Sequence, residues 1–204
     1  MEATGEPLDE STVDADPLVQ FGRWFEDAAA VMAMPEAMAV ASADPAGHPS
    51  VRMVLLKSFG PDGFAFYTNY ESRKGRELAD NPFAALLFHW EPLGRQVRIE
   101  GRVERTGDND SDAYFATRAR GSQLGAQASR QSSPIEGRRS LEAEVASLDA
   151  RFAGVEVPRP SWWGGFRLAP HSYEFWQHRE DRLHDRLRYT RQPEGQWLLE
   201  RLAP

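Results

Sequence analysis

Apolar residues follow helical spacing near the N-terminus, and beyond it short apolar segments separated by turn residues predict strands, with a second helical region between them. Asp16-Pro17 combines a helix cap with a proline in the first turn, which predicts a helix start. Apolar side chains then recur at helical spacing, at Leu18, Phe21, Phe25, Ala28 and Met32. The first predicted element is therefore an amphipathic helix that ends before Pro35.

Beyond Pro35 the pattern changes to that of strands. AMAVASA, SVRMVLLKSF and GFAFYT are predicted strands, and DPAGHP and GPDG between them are typical of turns. ESRKGRELADN predicts a short helix, and two more strands, FAALLFHW and RQVRIEGRVER, flank the turn EPLG. Five strands in about seventy residues leave connections mostly too short for parallel crossovers, so an antiparallel barrel or sandwich is expected.

Residues 108–153 are helical in character, through DNDSDAYFATR and the amphipathic SLEAEVASLDARFA. Strands return at WGGFRLAP, SYEFWQ and DRLHDRLRYTR, and QPEG turns the last hairpin into QWLLERL. Because the closing strands follow the helices, we expect one α+β domain over residues 17–204 rather than two domains.

The segment FWQHREDRLHDRLRY carries cations at every second position, Arg182, His184, Arg186 and Arg188. This alternation predicts a strand with one cationic face. The face is either a solvated edge, since charge prevents edge-to-edge pairing, or a site for an anion such as phosphate, whose oxygens match a guanidinium fork.

Charge is unevenly distributed along the chain. The net charge is −7, and residues 1–16 contain six acidic residues and no basic one, which leaves −1 for residues 17–204. The acidic tail is expected to be disordered, and the near-neutral body argues against nucleic-acid binding. The chain has no apolar run long enough for a membrane span, no signal-peptide pattern and no cysteine, so a cytoplasmic location is expected.

Several kinds of catalytic site lack their sequence signatures. The chain has neither a phosphate-binding P-loop nor GxGxxG, and its five histidines show no metal-ligand spacing, so no metal is expected. Basic clusters remain as candidates. Arg52 and Lys57 lie in an apolar strand, where they either meet an anion or extend to water at the strand ends. Arg73 and Lys74 start a helix, whose free N–H groups favour a bound phosphate. ARGSQLGAQASRQSS is either a surface loop or a segment that grips a ligand.

Taken together, these segments resemble the FMN-dependent pyridoxine/pyridoxamine 5′-phosphate oxidases from about Phe21 to Pro204. The resemblance rests on RMVLLK, FYTN, SRKGREL, RQVRIEG, RGSQLGAQASRQSS, PSWWGGFR and EFWQHREDRLHDRLRY, in this order. It implies a six-stranded antiparallel split β-barrel with flanking helices, and a homodimer with FMN at the subunit interface. It also implies oxidation of pyridoxine 5′-phosphate and pyridoxamine 5′-phosphate to pyridoxal 5′-phosphate, with O₂ as acceptor and H₂O₂ as product.

The resemblance also implies roles for individual residues. The residues that correspond to FMN contacts, several of them supplied by the partner subunit, are Arg52, Met53, Val54, Leu55, Leu56, Lys57, Tyr67, Thr68, Arg73, Lys74, Gln96, Gln131, Ser132, Trp176 and Arg186. The substrate phosphate is expected at Lys57, Tyr114, Arg118 and Ser122. Arg182, Leu183 and His184 correspond to residues at the pyridine ring, with Arg182 and His184 as the catalytic candidates.

The chain departs from the family pattern at several positions. The N-terminal Arg-x-x-Tyr segment that covers the substrate in many members is missing from the acidic tail, and unusual residues stand at Met34, Ala119, Gln127 and His178. Two alternatives remain open: a related flavin oxidase of the phenazine-forming type, and a flavin-binding split-barrel protein without turnover. The residues expected at the substrate phosphate argue against the first alternative.

Overall fold

The computed structural model describes residues 7–204. Its helices are α1 Pro17–Val31, α2 Arg73–Asp80, α3 Asp108–Thr117, α4 Arg120–Ala128 and α5 Arg138–Arg151. Its strands are β1 Ala37–Ala43, β2 Pro49–Leu55, β3 Ser58–Gly60, β4 Gly63–Asn69, β5 Phe83–Trp90, β6 Arg95–Arg105, β7 Trp163–Gln177, β8 Asp185–Arg191 and β9 Trp197–Arg201. Within this part of the chain, no helix has the length and apolar character needed to cross a membrane.

All of these strands belong to one curled antiparallel sheet, ordered β2-β1-β5-β6-β7-β4-β3, with β8 and β9 continuing from β7. The α+β split-barrel prediction is confirmed, although residues 7–204 contain nine strand segments rather than six. Strand β7 is shared by the two parts of the split sheet. Residues 163–168 of β7 pair with β4 and residues 172–177 pair with β8, while β6 runs along β7 from residue 166 to residue 177. The sequence suggested two strands here, but the structure has one long strand that joins both parts of the sheet.

Helix α1 fills the curl of the sheet with aromatic side chains. The Asp16 carboxylate caps it by accepting a hydrogen bond from Leu18 N–H, as the sequence predicts. Phe21 is fully buried, and its ring centroid lies about 5 Å from those of Phe59, Phe64 and Phe88 in edge-on contacts. This packing fixes α1 against β3, β4 and β5 and closes one side of the barrel.

A smaller apolar cluster lies under α3, α4 and α5 and contains Phe115, Leu124, Leu148, Val157 and Trp163. Helix α4 covers most of ARGSQLGAQASRQSS, which the sequence allowed to be either a surface loop or a ligand-binding segment. Because Trp163 is also the first residue of β7, this cluster attaches the three helices to the sheet beside β4.

The acidic N-terminal segment differs from its predicted disorder over residues 7–16. Leu8 is buried in the main core, and Tyr189 of β8 donates a hydrogen bond from its hydroxyl to the carbonyl of Asp14 at 2.7 Å. The many acidic residues suggested disorder. In the structure, the buried side chain of Leu8 and hydrogen bonds to the backbone hold this segment in place. The acidic residues Glu2 and Glu6 lie outside the described residues.

Candidate active site

A cleft of about 500 Å³ opens where the end of β2 and strand β4 face helices α2, α3 and α4. Its lining contains most of the side chains expected at the flavin and at the substrate phosphate. They are Met53, Val54, Leu55, Lys57, Tyr67, Thr68, Lys74, Tyr114, Arg118, Ser122 and Gln131, together with Ala119 and Trp163. Residues from β2, β4, α2, the α3–α4 segment, the stretch after α4 and the start of β7 therefore meet in one concave site.

Lys74 is a buried cation surrounded by neutral oxygen atoms. Its Nζ donates to Thr68 Oγ1 at 2.9 Å and to Gln131 Oε1 at 2.7 Å. No carboxylate of residues 7–204 lies within ion-pair distance of Nζ. Burial, reinforced by the charge of Arg52 and opposed by that of Glu77, lowers the pKa of Lys74 to about 8. A buried ammonium group without a counter-ion fits an anionic ligand.

The local sequence explains why Lys74 enters the cleft. Ser72 caps α2 by accepting the Gly75 N–H, so Lys74 lies in the first helical turn. A Cβ atom at Gly75 would lie 2.1 Å from the carbonyl oxygen of Tyr70. Only glycine allows α2 to begin this close to the end of β4, and this approach brings Lys74 next to Thr68.

Arg118 is the second cation of the cleft. It lies between α3 and α4 in an extended conformation (φ −74°, ψ 145°), so the helix that carries Tyr114 ends before Ser122. Ser122 still reaches the cleft, because α4 restarts at Arg120. The guanidinium lies 4.7 Å from the Trp163 ring, and its buried Nη1 has no hydrogen-bond partner within residues 7–204. Burial also lowers the pKa of the Arg118 guanidinium, because desolvation disfavours its charged form.

Stacked aromatic rings form one wall of the cleft. The Tyr67 and Tyr114 ring centroids lie 4.0 Å apart, and Tyr67 stacks on Trp163 at 5.6 Å. Gly165 makes room for this stack, since a Cβ atom there would lie 2.8 Å from the Tyr67 ring. Trp163 was not among the expected site residues, although the motif PSWWGGFR contains it.

Arg52 and Arg73 lie outside the lining of the cleft and meet at Glu77, which sequence analysis did not single out. Glu77 is buried and forms ion pairs with Arg52 at 3.3 Å and with Arg73 at 2.7 Å. The i, i+4 spacing of Arg73 and Glu77 on α2 was a signal that could have revealed the second pair. The alternative that Arg52 only extends to water is wrong, because its partner is this buried carboxylate.

A second group of expected flavin contacts lies elsewhere on the sheet. Gln96, Trp176 and Arg186 stand side by side on β6, β7 and β8, because Gln96 is the cross-strand partner of Trp176 and Trp176 is that of Arg186. The buried Glu174 holds Arg186 at 2.8 Å and Arg98 at 2.6 Å. None of the expected contacts in this row lines the cleft of its own subunit.

Two further expected flavin contacts do not line the cleft with their side chains. Leu56 packs in the main core. Ser132 is exposed and has a left-handed backbone with φ 73°.

Arg182 and His184 do not lie on a strand, which corrects the prediction from alternating cations. Residues Glu180–Arg182 form a 3₁₀ turn, and β8 begins only at Asp185. Asp181 and Arg182 adopt left-handed backbone angles, which a strand excludes. Arg186 and Arg188 do lie on β8, and Arg188 pairs with Glu200 at 2.8 Å. The exposed Leu183 and the two catalytic candidates therefore lie in a loop beside the Trp176 row.

His184 is oriented by its own loop. Its Nδ1 accepts the backbone N–H of Arg179 at 3.1 Å, and its ring lies 4.6 Å from Trp176 and 5.2 Å from His178. Burial and the charges of His178 and Arg182 lower the pKa of His184. The imidazole is thus favoured in its neutral form, with the Nε2 position carrying the proton.

The positions that depart from the family pattern have different surroundings. Ala119 lines the cleft, and His178 stands beside His184. Gln127 donates to the carbonyl of Pro158 at 2.6 Å, and Met34 is exposed. No group of three or more potential metal ligands is assembled among residues 7–204.

The curled sheet places the chain in the class of antiparallel split-barrel proteins. It superposes on a pyridoxamine 5′-phosphate oxidase-related FMN-binding protein from Nostoc punctiforme with a TM-score of 0.74 at 16% identity, covering 94% of this chain and all of the other. It superposes on PhzG from Burkholderia lata, solved in complex with tetrahydrophenazine-1-carboxylic acid, with a TM-score of 0.92 at 34% identity, covering 99% of this chain and all of the other.

Sequence comparison identifies the family. The pyridoxamine 5′-phosphate oxidase family model matches residues 25–152, and the pyridoxine 5′-phosphate oxidase C-terminal dimerisation region matches residues 163–204. The pyridoxine/pyridoxamine 5′-phosphate oxidase of Rubrobacter xylanophilus is 57% identical over all of this chain and 94% of its own length. That of Streptomyces avermitilis is 52% identical over 98% of this chain and 92% of its own. The chain belongs to the pyridoxine/pyridoxamine 5′-phosphate oxidase family.

Proposed function

We propose that this protein oxidises pyridoxine 5′-phosphate and pyridoxamine 5′-phosphate to pyridoxal 5′-phosphate, with FMN as cofactor and O₂ as electron acceptor. The observation that carries the proposal is that one cleft holds the buried ammonium of Lys74 and the half-buried guanidinium of Arg118. Lys74 lacks a counter-ion, and Arg118 has an unpartnered Nη1 within residues 7–204. Two separate cations suit two phosphates, one on the flavin and one on the substrate.

The residues present fit FMN. Lys74, Thr68 and Gln131, with Arg52 and Arg73 beside them, would hold its phosphate. The end of β2 at Met53–Leu55 would lie along the isoalloxazine ring. FMN, when bound, supplies the redox chemistry by accepting a hydride from the substrate C4′ carbon and returning two electrons to O₂, which becomes H₂O₂. The protein binds and orients both ligands, and the amine substrate additionally takes up water and releases ammonia.

The substrate phosphate would lie against Lys57, Tyr114, Arg118 and Ser122, which all line the cleft. The Trp163 ring beside the Arg118 guanidinium limits the directions that its fork can take. A fixed fork can bind two phosphate oxygens together, which orients the substrate as well as binding it.

A homodimer would complete the site. Gln96, Trp176 and Arg186 lie away from the cleft of their own subunit, so they can contact the flavin only from a partner. The match of residues 163–204 to a dimerisation region supports this arrangement. The outer face of edge strand β2 is apolar at Val51, Met53 and Leu55, which suits burial against a second subunit. Arg182 and His184, in the loop next to Trp176, would then orient the pyridine ring.

A second candidate is oxidation of a reduced phenazine, which the close superposition on PhzG favours. The two reactions require different anion recognition, because a phenazine carboxylate is smaller and carries less charge than a phosphate monoester. The cationic and hydroxyl set at Lys57, Arg118 and Ser122 favours the phosphate.

The test is oxygen consumption by the purified, FMN-loaded protein. We expect turnover with both phosphorylated vitamers, equimolar H₂O₂, and little turnover with unphosphorylated pyridoxine as the matched control. Turnover of tetrahydrophenazine-1-carboxylic acid in preference to the vitamers would favour the second candidate. Stoichiometric FMN binding without turnover of any of these compounds would indicate a non-catalytic flavin-binding protein.

A further inference from the structure

The buried carboxylate of Glu77 joins two arginines beside the Lys74 site. Its Oε1 accepts from Arg73 Nε at 2.7 Å, and its Oε2 accepts from Arg52 Nη2 at 3.3 Å. The side chain of Glu77 is only 6% exposed, whereas that of Arg73 is 58% exposed. A single buried carboxylate therefore holds an exposed helix arginine and a strand arginine together.

Two serines complete the surroundings of Glu77. Ser42 and Ser50 are paired across β1 and β2, and both hydroxyls donate to Glu77 Oε2. Arg52 also donates from Nη1 to Ser42 Oγ at 2.6 Å and to the Val40 carbonyl at 3.1 Å. Burial raises the pKa of Glu77, but the hydrogen bonds from Ser42, Ser50 and Arg73 and the charge of Arg52 outweigh this and lower it to about 2. Glu77 is consequently ionised throughout the working range of an enzyme.

We propose that Glu77 is a positioning residue for the cofactor phosphate, which holds Arg52 and Arg73 in fixed orientations next to Lys74 before FMN binds. This inference rests on the proposed FMN site. The formal charges of Arg52, Arg73, Lys74 and Glu77 sum to +2, which matches a phosphate monoester of about −2 above neutral pH. Without the carboxylate, three cations would repel one another and Arg73 would lose its side-chain restraint.

Removing Glu77 has two opposite effects on FMN affinity. It removes a negative charge that repels the phosphate, and it frees two arginines that must then be ordered when phosphate binds. Glu77→Asp separates these effects, because the charge stays while the shorter side chain cannot reach both arginines. Glu77→Gln removes the charge at nearly constant volume, and its amide N–H₂ cannot accept from Arg73 if its oxygen faces the serines.

The experiment is a fluorescence titration of FMN and of riboflavin, which lacks the phosphate, into the flavin-free protein. We expect E77D and E77Q to weaken FMN binding by about fivefold or more, on the order of one charge-assisted contact, with riboflavin affinity unchanged. In the double variant E77D/R73A, the loss should be smaller than the combined losses of the two single variants, because Glu77 acts in part through Arg73. Asp80→Asn, an exposed carboxylate on the same helix, is the matched control and should bind both flavins normally.

Four outcomes would overturn the inference. They are wild-type FMN affinity in E77D, tighter FMN binding in E77Q, an equal loss of riboflavin affinity, and additive effects of E77D and R73A. Failure of the proposed FMN site would look different. In that case wild-type protein would not prefer FMN over riboflavin, and Lys74→Met would leave both affinities unchanged.

Discussion

The guanidinium of Arg201 on β9 binds the carboxylate of Glu10 with two nitrogens, Nε to Oε1 at 2.9 Å and Nη2 to Oε2 at 2.6 Å. The same side chain donates to the Leu8 carbonyl and, through Nη1, to Asp185 Oδ1, both at 2.9 Å. Asp185 also accepts from Arg179 Nε at 2.7 Å. Arg201 therefore ties the N-terminal segment to the first residue of β8.

We predict that Arg201→Ala destabilises the protein, because it leaves the partly buried Asp185 with fewer donors and frees the segment that carries Leu8. The melting temperature should fall by about 3–6 °C, as for the loss of one or two partly buried ion pairs. Arg138→Ala, which removes a highly exposed pair with Glu142, is the control and should leave the melting temperature within about 1 °C. Equal melting temperatures for the two variants would show that residues 8–10 contribute nothing to stability.

The pH dependence of FMN binding should report Lys74. Its pKa is lowered to about 8 in the flavin-free protein, so the ammonium form loses its proton as the pH rises through 8. A phosphate dianion binds the protonated form, and FMN affinity should therefore fall above about pH 8, by at most about tenfold per pH unit. Riboflavin affinity should stay level over this range. In Lys74→Met, FMN should bind weakly at every pH, and a retained decline would assign the titration to another group.

Arg118→Ala should weaken the substrate phosphate rather than the flavin. The loss of its charge-assisted hydrogen bonds corresponds to about 1.5–3 kcal/mol, or roughly ten- to a hundredfold in the apparent affinity for pyridoxine 5′-phosphate. FMN content should remain near that of the wild type. Arg118→Lys, which keeps the charge but not the planar fork, should recover only part of the affinity. If Arg118→Ala loses FMN while its substrate affinity is unchanged, Arg118 serves the flavin phosphate and its assignment to the substrate phosphate is wrong.

Subunit complementation tests the shared site. Lys74→Met and Arg186→Ala should each lose FMN, because the first removes a contact from the cleft and the second a contact from the partner. Heterodimers of the two variants contain one site with both residues intact. Random mixing should restore FMN to about one quarter of all sites, given two-fold symmetry. No restoration would mean that Lys74 and Arg186 serve the same site from one subunit.

Much of the fold is visible in local sequence patterns. The cap at Asp16, the short helix α2 and the strands β1, β5 and β6 depend on neighbours within a few residues, and the structure has these elements where they were predicted. The strand predicted over DRLHDRLRYTR starts at Asp181, four residues before β8 begins at Asp185. Alternating charges are typical of a strand, but they do not reveal the left-handed backbone angles of Asp181 and Arg182 that delay its start.

The sequence by itself determined the family, the order of strands and helices, and most of the side chains that meet in the cleft, because these follow from motifs and short-range periodicity. Only the tertiary structure decided which side chains became partners over long separations. Glu77 meets Ser42, 35 positions away, and Glu10 meets Arg201, 191 positions away. Such contacts depend on how the curled sheet brings strands and termini together. From composition alone, each of these charged side chains would be expected to lie in solvent. For that reason the segment at Leu8 was expected to be disordered, whereas burial of one leucine and the hydrogen bonds around Arg201 hold it against the barrel.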